Sequence, residues 1–141
     1  MADRKASAVW EGDLFEGSGT VTAESSGLFS NAAVTWVSRT EDPGGTTSPE
    51  ELIAAAHAAC FSMALSNELS SRGHVPTTLA VSAVATFDSG VITTMRLNVD
   101  AEVPDTDEAA FREAVSAAEQ SCPVSNALRG NVDIVITSRL V

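Results

Sequence analysis

Cys60 and Cys122 carry the most nucleophilic side chains of this chain. They lie 62 positions apart, which excludes a CxxC motif, and the chain offers only 2 histidines to accompany them. A structural zinc site needs a cluster of Cys and His ligands at regular spacing, so none is predicted. The two thiols are therefore either inert buried groups or a working redox pair.

Cys60 lies in the middle of TSPEELIAAAHAACFSMAL, Thr47 to Leu65, which is typical of an apolar helix. A free thiol has a pKa of about 8.5, and burial among alanine, phenylalanine and methionine raises it. The helix macrodipole acts on the first turn, whereas Cys60 lies about three turns further in. A reactive Cys60 therefore needs a positive charge supplied by tertiary structure. Without that charge, Cys60 is an inert core residue.

Arg39 and Glu50 are the candidates for supplying and holding the charge. Arg39 stands just before the loop EDPGGTTS. Glu51 has a structural role in a capping box with Ser48, which leaves Glu50 without one. An arginine held by Glu50 and directed at Cys60 would stabilise the thiolate by about 1.4 kcal/mol per pKa unit. The alternatives are a solvated charge for Arg39 and a surface carboxylate at the helix N-terminus for Glu50.

Cys122 and His57 are the other candidates for thiol chemistry. Cys122 opens the turn CPVS, where free backbone N–H groups stabilise a developing thiolate. The alternative is a small residue packed at a helix junction. His57 lies one turn before Cys60, and a Cys–His pair would indicate acyl chemistry. Neighbours within one helix rarely align nitrogen and sulfur, so a packing or hydrogen-bonding role is favoured for His57.

The elements that must position these residues begin with strands. KASAVWEGD and TVTAE read as two strands joined by a turn at Gly17-Ser18-Gly19, and AAVTWVSRT reads as a third strand that ends at Arg39. A helix then starts with Ser48 as N-cap and Pro49 in the first position. It is expected to end near Arg72, because Gly73 supplies a stop signal. Apolar residues surround its axis, which predicts a central, buried helix.

The second half of the chain predicts a hairpin, a helix and a closing strand. LAVSAVATF and VITTMRLNVDAEV flank the turn Asp88-Ser89-Gly90, and the second segment alternates with a period of two. A helix over about Asp107–Gln120, with Thr106 as cap, precedes the short helical turn after Cys122. VDIVITSRLV is expected at an edge. We predict one α+β domain over residues 1–141, with a largely antiparallel sheet around a central helix.

Composition excludes several classes of function. The chain has 8 Lys and Arg against 19 Asp and Glu, a formal net charge of −11. Such a surface repels phosphates and anionic lipid, so neither nucleic acid nor a membrane is an expected partner. The N-terminal residues show no apolar signal segment, and the apolar run Leu52 to Leu65 falls short of the roughly 20 residues of a membrane span. A cytoplasmic location is expected.

Three segments together resemble the OsmC family, the osmotically inducible thiol peroxidases related to the organic hydroperoxide resistance proteins (Ohr). They are AVWEGDLFEGSGTVTAES, TSPEELIAAAHAACFSMAL and the distant SCPVS. The resemblance covers essentially the whole chain. It favours the OsmC branch, because the arginine expected near the N-terminal Gly-rich turn in the relatives is replaced by Arg39 in SRTED.

The resemblance implies a thiol peroxidase. Cys60 would be the peroxidatic thiol and Cys122 the resolving one, joined in a disulfide during turnover, while Arg39 and Glu50 activate Cys60. It implies an intertwined homodimer, an organic hydroperoxide as substrate and a dihydrolipoyl-type dithiol as reductant, without flavin, haem or metal. Two other readings remain: an acyl hydrolase that uses Cys60 with His57, and a non-catalytic ligand-binding or stress protein with inert thiols.

Overall fold

The computed structural model describes residues 1–141, which form two compact units, Met1–Leu52 and Ile53–Val141. Each unit has its own three-stranded sheet. The unit Met1–Leu52 is called the N-terminal unit below and Ile53–Val141 the C-terminal unit. The expectation of a single domain over residues 1–141 stays a prediction.

The sheet of the N-terminal unit is antiparallel, with strands β1 (Ala6–Glu11), β2 (Ser18–Ala23) and β3 (Ala32–Val34) in that order. The turn between β1 and β2 comes earlier than the predicted Gly17-Ser18-Gly19, because the last two of these residues already pair in β2. Gly19 faces Trp10 across the ladder, and a Cβ built on it would lie 2.6 Å from the indole. The glycine therefore makes room for the tryptophan.

The predicted third strand is wrong over its second half, where the chain forms helix α1 (Trp36–Thr40). Thr35 is its N-cap: the Thr35 hydroxyl accepts from the Ser38 amide, and the Ser38 hydroxyl accepts from the Thr35 amide, each at 3.0 Å. These local bonds outweigh the β propensity of the Val and Trp residues. Arg39 consequently lies on a helix rather than at the end of a strand.

Helix α2 (Pro49–Ser71) confirms the predicted start and end of the first long helix. The Ser48 hydroxyl accepts from the Glu51 amide at 3.1 Å. The second half of the predicted capping box is replaced, because the Glu51 carboxylate accepts from the Thr47 hydroxyl at 2.6 Å instead. The helix ends before Gly73, whose φ of +86° is the left-handed conformation that glycine adopts most easily.

The sheet of the C-terminal unit holds the predicted hairpin, β4 (Thr78–Asp88) and β5 (Val91–Glu102), with β6 (Asp133–Leu140) parallel to β5 at the edge. Helices α3 (Glu108–Ser121) and α4 (Pro123–Leu128) precede β6. The N-cap of α3 is Asp107, whose carboxylate accepts from the Ala110 amide at 2.8 Å, and not the predicted Thr106. The fold is the predicted mixture of α-helices and largely antiparallel sheet.

The core of the C-terminal unit lies between α2, α3 and strand β5. Its fully or nearly fully buried members are the residues Phe61, Leu65, Leu69, Leu97, Val99, Ala101, Phe111, Ala114, Ala118 and Cys122. The alternation predicted for β5 is confirmed, since every second residue from Met95 to Ala101 is buried. A single packed layer of side chains therefore joins the helix that bears Cys60 to the sheet.

Helix α2 buries one face only within the chain, whereas its all-round apolar sequence predicted burial on every side. Met63, on the other face, is 73% exposed. At 23 residues the helix is long and apolar enough to cross a membrane by length and composition, so the expected length argument against a span fails. A single such helix is weak evidence, because core helices of water-soluble proteins meet the same criterion, and this one packs Phe61 and Leu65 into the core.

Candidate thiol site

The two cysteines meet in the C-terminal unit. Cys60 lies near the middle of α2 and is partly buried, and Cys122 is fully buried between the end of α3 and the start of α4. Both are free thiols. The side chain of Cys122 lies close enough to that of Cys60 to raise the pKa of its thiol. The fold thus brings together two cysteines that are 62 positions apart in the sequence.

The pKa of the Cys60 thiol is raised, mainly by burial, as the sequence predicted. The neighbouring Cys122 thiol raises this pKa further, while the backbone amide of Val124 lowers it. The sequence expectation placed the free amides of the CPVS turn at Cys122. In the structure the backbone amide of Val124, in α4, lowers the pKa of Cys60 on α2 instead. Within this unit the balance favours the neutral thiol.

His57 makes a hydrogen bond to Ser125, not to a thiol. Its Nε2 lies 2.7 Å from the Ser125 hydroxyl, and both side chains are completely buried. Its Nδ1 is buried without a hydrogen-bond partner. Burial lowers the pKa of His57, and the carboxylate of Glu119 partly offsets this. A neutral imidazole bonded to Ser125 agrees with the favoured packing or hydrogen-bonding role, and neither ring nitrogen is hydrogen-bonded to Cys60 as acyl chemistry would require.

Arg39 and Glu50 form an ion pair in the N-terminal unit. The Nε atom of Arg39 donates to Glu50 Oε1 at 2.8 Å, and a second guanidinium nitrogen lies 2.8 Å from the same oxygen. The Glu50 side chain is only 7% exposed, against 31% for Arg39. Glu50 Oε2 is buried and makes no hydrogen bond. Because both contacts use Oε1, the carboxylate holds the guanidinium in place. Its other oxygen, Oε2, remains able to accept a hydrogen bond.

An apolar cavity of about 300 Å³ lies beside Arg39 in the N-terminal unit. Trp36 forms one wall: the Arg39 guanidinium carbon lies 5.9 Å from the centre of its ring, and Phe15 packs edge-on against it at 5.4 Å. The other lining residues are Trp10, Leu14, Val34, Thr35 and Pro49. The cavity thus combines aromatic walls with one cation.

The four site residues predicted from the sequence fall into two pairs. Arg39 with Glu50 belongs to the N-terminal unit, and Cys60 with Cys122 belongs to the C-terminal unit. Ser125 was missed by the sequence reasoning. Its signal is its spacing, since it follows Cys122 by three positions as Cys60 follows His57. No group of three or more His, Cys, Asp or Glu side chains is placed to hold a metal ion.

The fold and the site define a mixed α+β protein whose long helix bears one thiol near a second thiol. The model of the OsmC-like protein family matches residues 42–137. The chain is 39% identical to peroxiredoxin OsmC of Escherichia coli over 135 residues, which cover 93% of each chain. These matches show that the chain belongs to the OsmC-like family.

Two further comparisons agree with this assignment. An organic hydroperoxide resistance protein of Xanthomonas axonopodis pv. citri is 35% identical over 99 residues, which cover 67% of this chain and 68% of the relative. The crystal structure of an OsmC-like protein from Mycoplasma pneumoniae superposes with a TM-score of 0.76 over 99% of this chain and 98% of its own. Its sequence identity is 17%, so this likeness supports the fold alone.

Proposed function

We propose that the protein is a cysteine-dependent peroxidase that reduces organic hydroperoxides to alcohols in defence against oxidative stress. The observation that carries the proposal is that the Cys122 thiol lies close enough to Cys60 to act on its pKa, in a chain of the OsmC-like family. Relatives named as a peroxiredoxin and as an organic hydroperoxide resistance protein support the same class of activity.

In the first step the Cys60 thiolate attacks the outer oxygen of the hydroperoxide. The O–O bond breaks, Cys60 is oxidised by two electrons to a sulfenic acid, and the alkoxide leaves and takes up a proton to become the alcohol. Since burial and the Cys122 thiol raise the pKa of Cys60, this step needs a positive charge to hold the thiolate. We propose that Arg39 supplies this charge.

Arg39 is proposed to stabilise both the Cys60 thiolate and the leaving alkoxide. The Glu50 carboxylate holds the Arg39 guanidinium in one orientation, because it is nearly buried and one of its oxygens binds two guanidinium nitrogens. Such a fixed cation costs little reorganisation when negative charge develops. The assignment of these roles rests on the family resemblance and on the ion pair itself.

In the second step Cys122 resolves the sulfenic acid. The Cys122 sulfur attacks the Cys60 sulfur, the S–O bond breaks, and the hydroxide leaves as water with the thiol proton. The Cys60–Cys122 disulfide is then reduced by an external dithiol through exchange, for which a lipoyl-type dithiol is proposed. No flavin, haem or metal takes part in the proposed cycle. A cytoplasmic location is proposed because this cycle needs a reducing compartment.

An organic substrate is favoured over hydrogen peroxide by the cavity beside Arg39. Its walls are mostly apolar and aromatic, whereas hydrogen peroxide offers no apolar surface to bury. Cumene hydroperoxide should therefore react faster than hydrogen peroxide. Equal or faster turnover of hydrogen peroxide would remove the substrate preference from the proposal and leave the thiol chemistry in place.

A homodimer is proposed because the chain exposes apolar surface in both units. Strand β1 is exposed along its whole length, including Val9 and Trp10, and α2 exposes Met63. Large exposed apolar patches on a unit are typical of protein interfaces. Sedimentation equilibrium should give twice the 14.6 kDa mass of the chain. A monomer at micromolar concentration would contradict the proposal.

The decisive test counts thiols after one turnover. The protein is reduced, mixed with one equivalent of cumene hydroperoxide and analysed for free thiols, and the disulfides are mapped by mass spectrometry. Loss of both thiols within seconds, with a Cys60–Cys122 peptide, would establish the two-cysteine cycle. Thiols that survive excess hydroperoxide in the folded protein would support the alternative, a ligand-binding or stress protein with inert cysteines.

The role of Arg39 is tested by alkylation. Arg39→Ala should raise the pH at which iodoacetamide modifies Cys60, because the thiolate loses its stabilising charge. Arg139→Ala is the matched control, since Arg139 pairs with Asp100 on the sheet. An alkylation profile that is the same in Arg39→Ala and in the wild type would refute the role assigned to Arg39 and Glu50.

A further inference from the structure

The hydrogen bond between His57 and Ser125 joins the two elements that carry the thiols. His57 lies one turn before Cys60 on α2, and Ser125 lies one turn after Cys122 on α4. The Nε2–Oγ distance is 2.7 Å, and neither side chain has any solvent exposure. A polar contact between the two helices therefore lies one turn from each sulfur.

Packing alone does not account for this pair. Two apolar side chains would fill the same space without the cost of burying an imidazole and a hydroxyl. The imidazole is not even fully satisfied, because Nδ1 has no hydrogen-bond partner. A buried polar contact is retained when it fixes one arrangement among several that apolar packing would allow.

Helix α4 needs such a contact at its Cys122 end. It has only six residues, and Cys122, its N-cap, makes no capping hydrogen bond with its side chain. At the other end, Arg129 donates to the backbone carbonyl of Glu119 at 2.9 Å, which ties α4 to α3. The His57–Ser125 bond is the side-chain hydrogen bond that ties α4 to α2, in addition to the Val124 amide that acts on Cys60.

We propose that His57 and Ser125 are positioning residues for the disulfide step: their hydrogen bond holds α4 against α2 so that Cys122 meets the Cys60 sulfenic acid. The inference rests on the proposed peroxidase function and concerns its second step alone. In that step an S–S bond forms, the S–O bond of Cys60 breaks, and water carries away the oxygen and the Cys122 proton. Cys122 takes no part in the reaction with peroxide, so a displaced α4 should slow the disulfide step far more than the peroxide step, which α4 affects only through the Val124 amide and the Cys122 thiol near Cys60.

The test separates the two steps in four variants of the full-length protein. His57→Leu and Ser125→Ala remove the bond, His57→Gln keeps a polar group at similar reach, and Ser121→Ala removes an exposed hydroxyl beside Cys122 as a matched control. Each reduced protein is mixed with one equivalent of cumene hydroperoxide. Peroxide loss is followed, and samples quenched at intervals are analysed for disulfide and for sulfenic acid trapped with dimedone.

The bond-deleting variants should form the disulfide at least about tenfold more slowly than the wild type, since small misplacements of reacting atoms cost this much or more. Their rate of peroxide consumption should change far less. Dimedone should then label Cys60 in these variants and not in the wild type, His57→Gln or Ser121→Ala. Wild-type disulfide rates in both His57→Leu and Ser125→Ala would overturn the inference. Equal slowing of both steps would do so too, because it would indicate a general loss of structure.

A double variant guards against misfolding. Ser125→Ala alone leaves the buried imidazole unpaired, whereas His57→Leu with Ser125→Ala removes both polar groups and should fold. It should still resolve slowly, and fast resolution in this folded double variant would also overturn the inference. If the wild-type protein keeps both thiols after treatment with hydroperoxide, the proposed function itself is refuted. The wild type alone shows this result, so it is distinguished from a failure of the inference about His57.

Discussion

The stability of the protein should fall as the pH drops below the pKa of an unfolded histidine, and His57 should be the cause. The pKa of His57 is lowered by burial, with only Glu119 acting in the opposite direction. The unfolded chain therefore binds a proton at His57 at a higher pH than the folded one, so protonation favours unfolding. The stability is fully present above the unfolded pKa of about 6.5 and is lost as the pH falls through the range between the two pKa values.

The size of the loss follows from one proton. In the limit in which folded His57 takes up no proton in this range, the free energy of unfolding falls by on the order of 1 kcal/mol between about pH 7.5 and about pH 5.5. This is an upper limit, because any protonation of the folded protein reduces it. The groups that face the imidazole are Ser125 on α4, which is uncharged, and Glu119 on α3. Carboxylates titrate mostly below this range.

Urea unfolding at several pH values measures this loss. Far-UV circular dichroism is the appropriate signal, because both tryptophans, Trp10 and Trp36, lie in the N-terminal unit, whereas His57 lies in the C-terminal unit. The protein concentration is held fixed, since a dimer's stability depends on it. His57→Gln should remove most of the pH dependence in this range, and His74→Gln, which changes the chain's other histidine, should keep it. If His57→Gln lost as much stability as the wild type on acidification, the reasoning would be refuted.

Three further variants test the packing. Leu65→Ala should lower the free energy of unfolding by about 2–5 kcal/mol, because Leu65 is fully buried in the core; a loss below about 1 kcal/mol in urea unfolding would mean that the core closes over the gap. Asp107→Ala should cost about 1 kcal/mol through loss of the α3 cap, and Asp107→Asn should restore it. Gly17→Ala should destabilise the first hairpin, because its Cβ would lie 2.2 Å from the Asp13 carbonyl oxygen; an unchanged thermal midpoint would contradict this geometry.

Local signals in the sequence predicted the elements whose ends are marked by local chemistry. Ser48 and Pro49 set the start of α2, Gly73 its end, and Ser89 with Gly90 the turn of the β4–β5 hairpin. The same kind of signal was overlooked at Thr35, whose hydroxyl caps α1. A run of β-branched and aromatic residues then read as strand, although a single capping threonine was sufficient to start a helix there.

The site was less predictable than the elements, because its contacts join distant parts of the chain. The pairing of Arg39 with Glu50 was expected, since Arg39 precedes the loop that leads into α2 and Glu51 has the capping role, which leaves Glu50 free to bind it. A periodic sequence pattern predicts neither the hydrogen bond between Ser125 and His57 nor the effect of the Val124 amide on Cys60. Both depend on how α4 packs on α2, which only the folded core determines.

Burial makes Cys60 less reactive, because it raises the pKa of the thiol. The reactivity therefore has to come from neighbouring groups that stabilise the thiolate. The core that holds Cys60 rigidly raises the pKa of its thiol, and the Cys122 thiol raises it further. Left to these effects, Cys60 would react with peroxide more slowly than an exposed cysteine at neutral pH, because less of it is thiolate. The Val124 amide lowers the pKa but does not reverse its direction. A peroxidase that uses this thiol therefore requires a positive charge that neither α4 nor the facing core provides. The charge proposed is the Arg39 guanidinium, which Glu50 holds in place. If Arg39→Ala left the rate of peroxide reduction unchanged, Arg39 would not be the stabilising cation, and either another cation would have to act on Cys60 or the thiols would be inert.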